Sequence, residues 1–232
     1  MTKIEGRIKP EVARLWQRYY PDYDLRRFAK MVEAVANPES RVLEIGAGSG
    51  VGDQDHFGLK GRVAEYVGVD PDERVLNNPH LDRAIVAFAE KLPFDDESFN
   101  LVFHTLVAEH LPDPLAATRE MARVLTPDGY LLVQTPSRWY YPMVVARLTP
   151  HSFHERYVAR FGSGRKSSDV FPTHYRFNDA RTIRRVMIEA GLVPDIQFWR
   201  VPPGYLRFHP LAFRLGVLYE RTIEAIFPAL RG

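Results

Sequence analysis

The sequence predicts a doubly wound α/β fold on a mostly parallel sheet, and three observations predict it. Five short β-rich runs, residues 41–45, 64–69, 84–88, 100–105 and 130–135, are too apolar for strands with one face in water. Linkers and helical patterns alternate with them. The first run empties into Gly46, Gly48 and Gly50, glycines at every second position.

The elements follow in order. Residues 1–40 form a basic, aromatic leader, helical at its end, and 41–136 hold the five strands of a binding core. After Gly50 the stretch "VGDQDHFG" has no stable apolar face, and each glycine inside a helix costs about 1 kcal/mol, so a short irregular segment is expected. A helix over 114–125 is capped by Asp113, has Pro114 at its first position and is stopped by "TPDG". Residues 137–177 exceed an ordinary connection and carry many aromatics, which suits a lid or acceptor-binding insertion. A further helix starts at Asn178, shows Ile183, Val186, Met187 and Ala190 on one face and ends at Gly191. The tail "HPLAFRLGVLYERTIEAIF" is amphipathic. It is read as docking on the body or in a homodimer, with membrane-surface contact as the other option.

Composition sets outer limits. A chain of 232 residues with 45% hydrophobic and 12% aromatic residues is globular and fits one domain. With no cysteine, disulfides and thiolate chemistry are excluded. The charged start and the lack of a long apolar run read as cytoplasmic. The net charge of +2 hides an asymmetry: residues 1–137 carry 16 Lys+Arg against 22 Asp+Glu, and residues 138–232 carry 15 against 7. The basic part is a solvated face or meets something anionic. No interleaving of aromatic and basic residues marks it for nucleic acid.

A glycine loop after a first strand serves dinucleotides, nucleotides and sulfonium cofactors alike. Asp70 narrows the choice, because it ends the second strand 20 residues after Gly50, where a carboxylate accepts both hydroxyls of a ribose. The segments "VLEIGAGSG", "VGVD", "AEKLPFDDESF", "LVAEHLPDP" and "REMARVLTPDGYLLVQTP", in this order and spacing, resemble the class I S-adenosylmethionine-dependent methyltransferases. The small-molecule group with an acidic-x-LPF segment before the fourth strand is the nearest in look, and the likeness spans about residues 41–192.

The resemblance implies a seven-stranded, Rossmann-like sheet with S-adenosylmethionine across the carboxyl ends of strands one, two and four. Carried over by position, Gly46, Ala47, Gly48 and Gly50 line the methionine and ribose side, and Glu44 orients the amino-acid part. Asp70 binds the ribose, with Pro71 beside it. Phe88, Ala89 and Glu90 border the adenine, and His104 sits near the methionine moiety. Three departures stand out. Phe88 replaces the family's Asp, so it stacks on the ring but accepts no hydrogen bond, which Glu90 or a backbone carbonyl must do instead. Asn100 replaces an Asp before the fourth strand, and the first helix is broken. Either "GYLRFH" supplies the last strand or the sheet is incomplete.

Methyl transfer from a sulfonium needs alignment first, and a base only where the acceptor loses a proton. His110, where the family often has His, and His154 in the insertion are the candidate bases, with His151 and His174 behind them. The i, i+3 spacing of "HSFH" could ligate a metal with His174 or Asp169, but such His pairs are common on helices, so no metal is expected. Arg147, Arg156, Arg160, Arg165 and Lys166 suit an acidic acceptor. The reading is a methyltransferase acting at oxygen on a small aromatic, acidic or lipid-like molecule. The alternative is a non-catalytic binding module on the same fold. A nicotinamide dehydrogenase ranks third, because the glycines follow G-x-G-x-G.

Overall fold

The structure, a computed structural model, describes residues 8–50, 57–148 and 173–226. The irregular segment expected after Gly50 lies largely outside the described residues, as do His151 and His154, Asp169, Arg156, Arg160, Arg165 and Lys166, and the side chain of Arg147. Two compact units divide the chain. One comprises Leu25–Pro136 and Pro172–Asp195; the other holds the described parts of Met1–Asp24, Ser137–Phe171 and Ile196–Gly232.

In the first unit, β1 (Arg41–Ile45), β2 (Glu65–Asp70), β3 (Arg83–Val86), β4 (Phe99–Thr105) and β5 (Leu125–Gln134) form one sheet. Its order is β3-β2-β1-β4-β5 and every described pairing is parallel. The strand order reverses between β1 and β4, the crevice where such sheets bind ligands at their carboxyl ends. Val42 and Leu43, Val67, and Leu101, Val102 and Phe103 are fully buried, as strands covered on both faces require. Leu43, Ile45, Val67 and Val102 face the helices α3 (Pro114–Val124) and α5 (Ala180–Glu189), which add Ala117, Met121, Val124 and Val186 to one core. On the other face Phe28 of α2 (Arg27–Val35), Phe57 and Phe103 pack edge to face, with 4.5 Å between the last two ring centroids.

Several expectations are corrected. Among the described residues the sheet has five strands, not seven, and Gly204–Leu206 of "GYLRFH" is a 3-10 turn. Pro202 and Pro203 supply no amide hydrogen at its entry, which disfavours a ladder there. "TPDG" does not separate α3 from β5: pairing starts at Leu125, opposite Phe99, and shifts register before Leu101 meets Tyr130. Gly129 permits that irregularity, since a Cβ there would lie 2.8 Å from the Asn100 carbonyl oxygen. Asp113 caps α3 as expected, accepting from the Leu115 and Ala116 amides. The last helix of this unit begins two residues later than Asn178, because Asp179 is its cap and accepts from the Thr182 amide at 3.0 Å.

The second unit joins α1 (Pro10–Tyr19), α4 (Tyr141–Leu148) and α6 (Pro210–Ile226). Val12, Leu15 and Tyr20 pack on Phe213 and Val217, with the Trp16 ring stacked 6.1 Å from Phe213. Gly216 lets the 3-10 turn approach α6, since a Cβ there would lie 2.7 Å from Pro203. The Tyr219 hydroxyl donates to the Trp139 carbonyl at 3.0 Å. No described helix is long and apolar enough to cross a membrane.

Glu220 of α6 has a buried carboxylate oxygen without a hydrogen-bond partner. Burial, and then the Glu224 carboxylate, push its pKa from near 4.5 up to about 7. The folded chain therefore binds this proton more tightly than the unfolded one. The resulting stabilisation is complete below the ordinary value and lost as pH rises through about 7. Glu220→Gln should remove that decline, raising the melting temperature more at about pH 7.5 than at about pH 5; thermal melts of both proteins across the range check it.

Candidate cofactor site

The loop after β1 is fastened to the end of β2 by its own backbone. The Gly46 and Ala47 amides both donate to the Val69 carbonyl, at 2.7 and 3.1 Å. The Gly48 amide donates to Asp70 Oδ2 at 3.0 Å, and the Asp72 amide to Asp70 Oδ1 at 2.9 Å. Each Asp70 oxygen thus accepts one hydrogen bond and keeps a lone pair, which a diol can use. The alternative role, capping the turn after β2, belongs to Asp72, which accepts from the Arg74 amide.

Gly46, Gly48 and Gly50 all have left-handed φ, at +73°, +54° and +64°. Their surroundings differ. A Cβ on Gly46 would strike Val107, and one on Gly50 would strike the Asn78 amide, so this chain's own packing requires both glycines. A Cβ on Gly48 would meet none of the described residues within 4 Å: among them, its backbone borders open space.

Asn78 was not legible as a site residue. Its Nδ2 donates to the carbonyls of Ala47 at 3.0 Å and Gly48 at 3.2 Å, while its Oδ1 accepts from the His80 amide. The only hint in the sequence is an Asn before Pro79, a turn signal. Tyr66 is the second such residue. Wholly buried in β2, it donates its hydroxyl to Glu44 Oε2, and burial followed by that carboxylate raises its pKa strongly. Glu44, 8% exposed, is therefore oriented from within the sheet.

Beyond β3, Phe88 is 66% exposed while Ala89 is buried. Glu90 Oε1 is buried without a hydrogen-bond partner. Pro71 is exposed beside Asp70. Asn100 lies at the opposite, amino end of β4, where its Oδ1 accepts the Arg41 amide at 2.9 Å. Its amide oxygen does there what a carboxylate would.

His104 is placed differently from its neighbours. Strand alternation puts its side chain on the face of Ile45 and Val133, its register partners, away from Glu44 and Phe103. It is fully buried, neither ring nitrogen has a hydrogen-bond partner, and burial pushes its pKa down to about 4. His110 sits half-buried in the 3-10 turn Ala108–His110, its amide on the Val107 carbonyl at 2.8 Å. His174 is exposed, and its amide donates to the Glu109 carbonyl. Glu109 itself is buried: Thr135 Oγ1 donates to its carboxylate at 3.3 Å, and Asn178 Nδ2 donates to Thr135 Oγ1 at 2.7 Å. No cluster of metal-ligating side chains occurs among the described residues.

A family profile described as a methyltransferase domain matches residues 14–195. The chain belongs to the class I S-adenosylmethionine-dependent methyltransferases. Over 177 residues it is 33% identical to an uncharacterized methyltransferase of Mycobacterium sp. (strain JLS), covering 73% of this chain and 66% of that relative, just under two thirds of its length. It is 28% identical over 217 residues to the ubiquinone/menaquinone biosynthesis C-methyltransferase UbiE of Vibrio campbellii, covering 85% and 77%. Among solved structures, the YcgJ protein of Bacillus subtilis is similar, with a TM-score of 0.54, 25% identity and coverage of 85% and 81%. The family's cofactor is S-adenosylmethionine. The site of this chain fits it: among the described residues, open space borders Gly48, the Asp70 oxygens keep free lone pairs, and Glu90 Oε1 lacks a partner.

Two outcomes test this geometry. Asn78→Ala should weaken S-adenosylmethionine binding by up to about thirtyfold, through loss of two hydrogen bonds of about 1 kcal/mol each that hold the loop; calorimetric titration reads it. For His104, the folded pKa lies below the ordinary 6.5, so stability is lost as pH falls from about 6.5 towards 4. His104→Leu should flatten that acid limb in urea titrations while leaving the neutral plateau within about 1.5 kcal/mol.

Proposed function

We propose that this chain transfers a methyl group from S-adenosylmethionine to an oxygen of a small aromatic or lipid-like acceptor. The observation that carries the proposal is the pairing of the Gly48 amide with Asp70 at the strand-order reversal. When bound, the cofactor supplies a methyl group already activated on a positively charged sulfur.

The chain's part is to hold and align. Asp70 accepts the ribose hydroxyls through its spare lone pairs. The backbone from Gly46 to Gly50 lines the methionine and ribose side, and Glu44, held by Tyr66, attracts the amino group. Phe88 stacks on the adenine with Ala89 and Pro71 at its border, and Glu90 takes the hydrogen bond its buried oxygen lacks. His104, neutral at physiological pH and turned to the apolar face, acts on the methionine side by packing under the β4 end. Proton removal from the acceptor falls to His110, or to His154 of the insertion.

A second reading, transfer to carbon, is favoured by the likeness to a relative named as a C-methyltransferase. The test is titration with S-adenosylmethionine, followed by incubation of labelled cofactor with phenolic and quinol acceptors. Micromolar binding lost at least tenfold in Asp70→Ala, and label on an acceptor oxygen, are expected. Label on ring carbon moves the assignment to the second reading. Binding without transfer to any acceptor leaves a cofactor-binding module.

A further inference from the structure

The two units differ in charge as well as in structure. By sequence, the unit that includes α1 and α6 carries 16 Lys+Arg against 8 Asp+Glu, and the sheet unit 15 against 21. Within the basic unit, α1 and α6 border an open groove of about 720 Å³. Lys9, Arg14 and Arg18 line one side, and His209 and Arg214 the other, with Glu11 the single acid in the lining. Lys9, Arg14 and Arg214 form no ion pair with any described residue. Arg221, about two turns beyond Arg214, lies over the Tyr19 ring, 5.0 Å from its centroid.

The outer face of α6 is not polar in the usual way. Leu211, Leu215 and Leu218 recur at i, i+4 and i+7 and are 59%, 57% and 61% exposed. Leu211 is also part of the groove. These leucines are not needed for the core, which α6 builds from Phe213, Gly216 and Val217 on its opposite side.

We infer that the α1–α6 face, with its arginine-lined groove and exposed leucine stripe, docks on an anionic membrane surface, α6 lying in the plane of the interface. Charge complementarity selects this occupant. Headgroup phosphates meet Lys9, Arg14, Arg18 and Arg214 while the leucines enter the acyl boundary, the division of labour of an interfacial helix. A free phosphate would use the cations but leave three leucines in water. A second copy related by a two-fold axis would set the same cations against each other. The inference does not depend on the acceptor or on catalysis.

Co-sedimentation of the full chain with vesicles tests it. Binding is expected to phosphatidylcholine vesicles holding about a quarter phosphatidylglycerol, weakly or not at all to pure phosphatidylcholine, and largely lost in about 0.5 M salt. The double variant Arg14→Gln/Arg214→Gln should lower the partition coefficient about thirtyfold, as expected for two basic residues removed from an anionic surface. Leu215→Ser/Leu218→Ser, at exposed positions, should lower it with unchanged melting and unchanged S-adenosylmethionine titration. No binding to anionic vesicles overturns the inference, as does equal binding to neutral ones. So does a solution dimer that the arginine variant dissociates, or saturable inorganic phosphate binding without vesicle binding. The cofactor titration is read separately, so loss of cofactor binding bears on the proposed activity alone.

Discussion

The carboxylate of Asp70 is the point on which the candidate site turns. It sits at the end of β2 and draws in the Gly48 amide from the loop after β1 and the Asp72 amide from the turn that follows it. A carboxylate that accepts two backbone amides is held in one orientation, so its remaining lone pairs point in fixed directions. The Val69 carbonyl, one residue earlier, takes two further loop amides, and Asn78 closes the loop from the other side. Of these bonds, the one from Gly48 to Asp70 is what fixes the loop amide directly against the carboxylate.

That constraint is prepared inside the sheet. Gly68 in β2 leaves room for Ala47 and Leu81, since a Cβ there would lie 2.7 Å from the Ala47 methyl. Tyr66, two residues earlier on the same face, ties Glu44 from below. Across the crevice, Val107 fills the space that Gly46 leaves. Leu106, between Val107 and β4, is held at φ +57°, a left-handed conformation unusual for Leu, with its amide on the Gln134 carbonyl. The exit from β4 is thus fixed against β5, and the 3-10 turn with Glu109 and His110 follows from it. Glu109, Thr135 and Asn178 then join β4, β5 and the entry to α5 through buried hydrogen bonds.

Much of this order was legible in the chain. The position of β1 is residue for residue the first apolar run, and β2 and β4 lie within one residue of theirs. Asp113 was recognisable as a cap because its side chain acts on amides two and three residues away. What stayed hidden acts over distance. Asn78 reaches a loop 30 residues earlier, and Asn178 reaches Thr135 across 43 residues. Neither partner can be named without the fold, because an isolated Asn in a turn looks the same whether or not its amide has a distant carbonyl to hold. The early start of β5 was hidden for a related reason: "TPDG" carries turn residues, and only pairing of Leu125 with Phe99 draws it into the strand. The seventh-strand reading of "GYLRFH" likewise followed the family pattern, whereas its entry through two prolines follows local chemistry.

Departures from a family pattern need to be placed before they are weighed. Phe88 and Asn100 look equivalent in the sequence, each standing where an acid is usual. Asn100 lies at the amino end of β4, remote from the crevice, and its side-chain oxygen still accepts the Arg41 amide. Only an acceptor is needed there, and an amide oxygen is one, so the change is neutral for the site. Phe88 lies at the carboxyl end of the sheet, more exposed than any other phenylalanine among the large exposed hydrophobics. An aromatic face gains nothing from water, while Glu90, two residues on, buries an oxygen that nothing satisfies. The two costs lie side by side and are of complementary kind. One is an unused flat apolar surface and the other an unused acceptor, and a planar ring carrying a hydrogen-bond donor relieves both. On the proposed reading of the site, the replacement at position 88 redistributes recognition between two residues, where the family pattern concentrates it in one.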